Sequence, residues 1–83
     1  MPSASTNPVV LILNDENVIV STLVAVLCRN GYNAVGFTTC AEAVHQCATV
    51  RPDLALIDIV VGGGNGIDAA MEIRKGCPNA ILS

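Results

Sequence analysis

Short, uninterrupted apolar runs alternate along this chain with stretches in which apolar residues recur every three or four positions. Val9 to Leu13 (VVLIL) has the pattern of a strand buried on both faces. From Val18 to Asn30, Ile19, Leu23 and Leu27 recur every four residues, with Val20, Val24 and Val26 widening the stripe, which predicts a helix that Gly31 stops. Asn33 to Thr38 carries Val35 and Phe37 in strand-like alternation. Ala41 to Val50 predicts a second helix with Ala43, Val44, Cys47 and Ala48 on one side, entered through Thr39 and Glu42 at capping-box spacing. Pro52-Asp53 breaks the chain before a strand from Leu54 to Ile59, and Gly62 to Gly66 reads as a loop. Ile67 to Lys75 predicts a third helix whose apolar face is Ile67, Ala70, Met71 and Ile73. Cys77-Pro78-Asn79 then turns into Ala80-Ile81-Leu82-Ser83, the opening of a fourth strand.

Strands separated by helices of about ten residues imply crossover connections and hence an α/β fold built on a doubly wound parallel sheet. Two of the apolar runs end on acids, VVLIL at Asn14-Asp15-Glu16 and LALI at Asp58. In one parallel sheet these acids come out at the same edge, where open α/β sheets bind ligands. Taken singly, each acid also fits a plainer role: the Asn14 to Asn17 segment offers side-chain acceptors for a helix start, with Asp15 as an N-cap, and Asp58 suits a solvated strand end.

At 83 residues the chain is at most one small domain, and 52% hydrophobic content places it among globular formers. Seven acids outweigh four scattered basic residues, Arg29, Arg51, Arg74 and Lys75, for a net charge of −3, which speaks against direct nucleic-acid binding. Apolar runs are too short to span a membrane. Residues 1–8 (MPSASTNP) read as a disordered leader without a secretory signal, making the cytoplasm the expected location. Cys28, Cys40, Cys47 and Cys77, spaced by 12, 7 and 30, match no zinc or paired-thiol pattern and read as reduced, small apolar residues. Gly64-Asn65-Gly66-Ile67-Asp68-Ala69 fits a dinucleotide fingerprint, but the acid that should follow about 20 residues on falls past Ser83. His45 has no triad partner in the pattern, and Glu72, Arg74 and Lys75 read as a wet helix face.

In order and at matching separations, these pieces resemble the receiver domain of bacterial two-component response regulators, a flavodoxin-like (CheY-like) fold. Asn14-Asp15-Glu16 stands where that family has Asp-Asp-Glu after its first strand, and PDLALIDIVVGGGNG follows its block Pro-Asp-Leu-x-Leu-x-Asp-x-x-Met-Pro-x-Met-Asp-Gly. The spacing of Ile19, Leu23 and Leu27 and the Gly31-Tyr32 stop agree as well. The resemblance runs from about Pro8 to Ser83 and covers the first two-thirds of a receiver, up to the start of strand four, so 9–83 reads as a partial receiver domain.

The resemblance implies a phosphoacceptor rather than an enzyme, with a sensor histidine kinase as partner and Mg²⁺ as cofactor. By position, Asp58 matches the acceptor and a metal ligand, Asp15 the direct carboxylate ligand, the Val60 backbone carbonyl the third protein ligand, and Asn14 the residue that holds a metal-bound water. Ser83 falls near the family's switch hydroxyl. Three departures stand out: Asn14 replaces an acid, Gly62 replaces a proline beside Gly63 and Gly64 and implies a mobile loop, and the family's strand-five lysine has no counterpart. The rival reading is a pseudo-receiver that transfers no phosphate and associates with itself through the sheet face that helix five covers in a complete receiver.

Overall fold

The structure, a computed structural model of the chain, describes residues 7–58, 66–77 and 79–82. Its elements alternate as β1 (Val9–Leu13), α1 (Asn17–Arg29), β2 (Asn33–Phe37), α2 (Cys40–Val50), β3 (Leu54–Ile57), α3 (Gly66–Gly76) and β4 (Ala80–Leu82). The strands form one parallel sheet in the order β2-β1-β3-β4, as the alternation implies.

The uninterrupted apolar character of β1 follows from its place between two helical layers. Val10 and Ile12 pack with Val20 of α1 and Ala34 of β2 on one face. Leu11 and Leu13 join Ala55, Ile57 and the inner residues of α2 and α3 on the other. With every side chain from Val10 to Leu13 buried, each contributes about 1.5–3 kcal/mol of transfer free energy. The start of the strand is clamped: the Val9 amide donates to Asp53 Oδ2 at 2.7 Å, and the Asp53 amide donates back to the Val9 carbonyl at 2.8 Å. Asn79 Nδ2 donates to the Asp53 carbonyl at 3.5 Å, so this one residue links the entries of β1, β3 and β4. Pro8 also contributes, its carbonyl accepting from the Asn33 amide at 2.8 Å.

The helices stop where local chemistry tells them to. After α1, Gly31 takes φ +93°, the Tyr32 amide donates to the Leu27 carbonyl at 3.0 Å and the Gly31 amide to Cys28 at 3.3 Å, a Schellman pattern. Thr39 Oγ1 accepts from the Glu42 amide at 3.2 Å and caps α2. At the other end of α2, Arg51 adopts φ 51°, because the following Pro52 disfavours a further helical residue.

All three helix faces differ from the sequence expectation; in α2 Cys40, Ala43 and Cys47 are buried and Val44 half-buried, but Ala48 is exposed. In α1 the buried line is Val20 with Val24 and Leu27, whereas Ile19 and Leu23 lie on an exposed flank. The reason is Gly36: α1 comes so close to β2 that a Cβ there would overlap Val20 Cγ1 and press on Val24 Cγ2 at 3.1 Å. In α3, Ala69, Ala70 and Ile73 face the core and Cys77 extends their line, while Ile67 and Met71 point outward, Met71 being 62% exposed. Small side chains at Ala69 and Ala70 suit the contact with α2, which a bulky Ile67 or Met71 would hold off. Cys40, Cys47 and Cys77 are buried as expected of small apolar residues, but Cys28 is on the surface.

Two measurable consequences follow from this packing. Gly36→Ala lowers stability by about 1–3 kcal/mol through overpacking. In a denaturant double-mutant cycle with Val20→Ala, which opens the space, the combined loss is smaller than the sum. Burial, and after it the neighbouring Cys77 thiol, push the Cys47 thiol up from its ordinary value of 9.0. The folded chain then keeps a proton that the unfolded chain releases, so this stabilisation is present below pH 9.0 and is lost as pH rises through the elevated folded value. The urea midpoint therefore declines at alkaline pH, less steeply in Cys47→Ala than in the parent.

Candidate functional site

From β1 the chain winds through α1 outward to β2, then returns through α2 across β1 to β3, so the winding reverses between β1 and β3. Open α/β sheets form their ligand crevice at the carboxyl ends of the strands at such a point. Leu13 is paired with Ile57 in register, and one step on the Asp58 amide donates to the Leu13 carbonyl at 3.0 Å. On the other side the Asn14 amide donates to the Phe37 carbonyl at 3.2 Å. The ladder therefore carries Asn14 and Asp58 to the edge side by side, with backbones held by the sheet.

Asp58 is half-buried there and Asp15 is exposed in the bend that leads into α1. The bend is built by Asn14, whose Oδ1 accepts from the Glu16 amide at 2.9 Å in an Asx turn. The N-cap position of α1 belongs to Glu16, and no side-chain cap bond is made. The expectations of a side-chain cap from this segment and of Asp15 as N-cap are thereby corrected: the Asx turn takes the chain off the strand one residue earlier. Asp15 stands at the edge instead.

Beside Asn14 and Asp58 opens a cavity of about 300 Å³ lined by Ile12, Leu23, Leu56 and Ile81. It exists because α1 packs over β1 and β2, leaving this face of β3 and β4 only partly covered; Ile81 is 52% exposed. The groove lies on the sheet face that the resemblance to a partial receiver leaves uncovered, with Leu23 of α1 on its far wall. Lys75 is remote from the edge, in the last turn of α3 at the opposite end of its βα unit, with Nζ 3.1 Å from Glu72 Oε2 on an exposed face. His45 is exposed, as a solvated helix residue should be.

The side chains that the fold gathers at the edge are two carboxylates and an amide, a set of hard oxygen donors that suits Mg²⁺ better than a soft metal. Among the described residues no group of three or more His, Cys, Asp or Glu side chains comes together to hold a metal. Val60, Ser83, the Gly62–Gly64 loop and Gly64-Asn65 of the dinucleotide pattern lie outside the described residues. Among the described residues no helix is long and apolar enough to cross a membrane.

A sheet of this order with acids at its reversal point is a doubly wound α/β architecture, and the response regulator receiver domain family matches residues 10–82. The chain belongs to that family. It is 38% identical over 72 residues to the chemotaxis protein CheY of Thermotoga maritima, covering 86% of this chain and 60% of that protein. Among solved structures, the signal receiver domain of a modulated diguanylate cyclase from Desulfovibrio desulfuricans superposes with a TM-score of 0.79 at 35% identity, over 92% of this chain and 63% of that one. The response regulator TrrA of Thermotoga maritima, solved in complex with Mg²⁺ and BeF, gives 0.76 at 29% identity over 90% of this chain and 65% of its own. The chain spans between 29% and 60% of the first curated relatives that it matches.

Proposed function

We propose that this chain is a cytoplasmic phosphoacceptor in a two-component relay, with Asp58 taking a phosphoryl group from the phosphohistidine of a sensor histidine kinase. What supports this most is the placing of Asp58: it directly follows β3 at the reversal point, its amide bonded to the Leu13 carbonyl and the residue half-buried at the edge. A carboxylate oxygen of Asp58 attacks phosphorus in line with the bond to the histidine nitrogen. That bond breaks, its electron pair stays on the imidazole, and an acyl phosphate forms. Positioning supplies most of the acceleration, since the loose transition state needs little covalent help.

Mg²⁺, when bound, offsets the negative charge on the transferring phosphoryl oxygens. Asp58, Asp15 and the Val60 backbone carbonyl would hold it, with Asn14 reaching it through water. Asn14 brings no charge, and one acceptor site of its Oδ1 is already used by the Glu16 amide, so cation affinity is lower than with an acid there. Ser83 is the candidate switch hydroxyl.

With acetyl phosphate or a phosphorylated kinase and Mg²⁺, the parent chain takes up label and Asp58→Ala does not; an unlabelled parent refutes the acceptor role. Isothermal titration of Asn14→Asp gives tighter Mg²⁺ binding than the parent, by several-fold, and no gain overturns the assignment of Asn14.

The groove between α1 and β4 favours a second reading, in which the chain is an interaction module that associates with itself. Leu23, Leu56 and Ile81 form an apolar strip that the described residues leave open. Light scattering coupled to gel filtration then shows mass rising with concentration, and Ile81→Lys returns a monomer. A parent that is monomeric at every concentration removes this reading.

A further inference from the structure

α2 and α3 lie alongside each other start to start and end to end. Cys40, Ala41 and Val44 border one hollow with Asp68 and Ala69; further along, Val44, Cys47 and Arg51 border another with Glu72 and Gly76. Cys47 is therefore level with the last turn of α3, and Cys77 is the next residue after that turn. The two converge on one atom: Cys47 Sγ lies 4.0 Å from the Ile73 carbonyl oxygen, and the Cys77 amide donates to the same oxygen at 2.9 Å. Both belong to one buried cluster. Cys40 is seven residues before Cys47, about 10 Å along the helix, beyond the roughly 7 Å separation of α-carbons that a disulfide tolerates. Cys28 is on α1, across the sheet.

We propose that Cys47 and Cys77 are an oxidisable dithiol, closed by hydroperoxides to an intrachain disulfide. The sulfurs differ in access. Cys47 borders a cleft of about 350 Å³ between the helices, whereas Cys77 is wholly buried behind it. Cys47 is accordingly the sulfur that peroxide meets: its thiolate attacks the peroxide oxygen, the O–O bond breaks, and a sulfenic acid and water result once the proton is returned. Cys77 then attacks the Cys47 sulfur and the second oxygen leaves as water. In sum two thiols lose two protons and two electrons, and one hydroperoxide is reduced to an alcohol and one water, or hydrogen peroxide to two waters. Burial first, and the neighbouring Cys77 thiol second, raise the Cys47 thiol, so attack on peroxide is slow at neutral pH and quickens as pH rises. Closure makes a covalent ring around β3, Asp58 and α3, so oxidation stiffens the segment that carries the edge carboxylate.

The test uses the full chain with Cys28→Ser, which removes the surface thiol as a source of links between molecules, treated with hydrogen peroxide and mapped by tandem mass spectrometry without reduction. Expected are an intact mass lower by two hydrogens, a Cys47–Cys77 cross-linked peptide that dithiothreitol reverses, and a raised Tm. Cys40→Ala keeps the link, and Cys77→Ala loses it. If Cys77→Ala fails to fold by circular dichroism, the peptide map of the Cys28→Ser chain decides by itself. A link through Cys40, accumulation of Cys47 sulfinic acid without a link, or an unchanged mass under peroxide that oxidises Cys28 in the parent overturns the proposal.

Discussion

The clamping of β1 between β2 and β3, with a helical layer on each face, is the constraint on which the rest of the structure depends. Val9 to Leu13 supplies hydrogen bonds to both neighbouring strands and side chains to both cores. A shift of one residue would exchange the sets Val10/Ile12 and Leu11/Leu13 between layers of different shape, so register is strongly specified. The same register decides where the strand ends. It sets Asn14 beside Asp58, and the Asp53 link at the other end, made through both its amide and its carboxylate, keeps β1 and β3 from sliding. The position of a candidate acceptor carboxylate is thus a by-product of how an apolar strand is held some four residues away.

The two faces of the sheet are unequal. On one, α2 and α3 meet over Leu11, Leu13, Ala55 and Ile57, and their small inner residues allow a dense core that contains three of the four cysteines. On the other, α1 alone descends on Gly36 and is drawn toward β2, which leaves the β3 and β4 side of that face open. The open groove reaches the acid edge at Asn14 and Asp58. Whatever fills that groove therefore also sets the dielectric and the water access of the edge, which ties the phosphoacceptor and the self-association readings to a common stretch of surface.

Much of this was legible in the chain. Gly31 as helix stop, Thr39 as cap, the apolar strands and the alternation itself are local or periodic signals, and each reappears in the structure because nothing tertiary opposes it. The acids at the ends of VVLIL and LALI were legible for the same reason, as strand termini in a parallel sheet must share an edge. Asp53 was legible only as a breaker, since its partner Val9 is 44 residues away. Asn14 looked like a member of an acid-rich helix start, yet its role is an Asx turn, because the strand had to be left before the helix began.

By itself, the order of residues determined the βα alternation, the family and the identity of the edge carboxylates, because periodicity, caps and strand-ending acids depend on neighbours a few positions apart. Tertiary structure decided which flank of each helix is buried, that Ile19 and Met71 face outward while Val24 and Cys77 face in, and that Cys47 and Cys77 converge on the Ile73 carbonyl. The reason is geometric. Each helix offers an apolar arc wider than the contact it makes, and only close approach, at Gly36 for α1 and at Ala69 and Ala70 for α3, selects the part of the arc that meets the core.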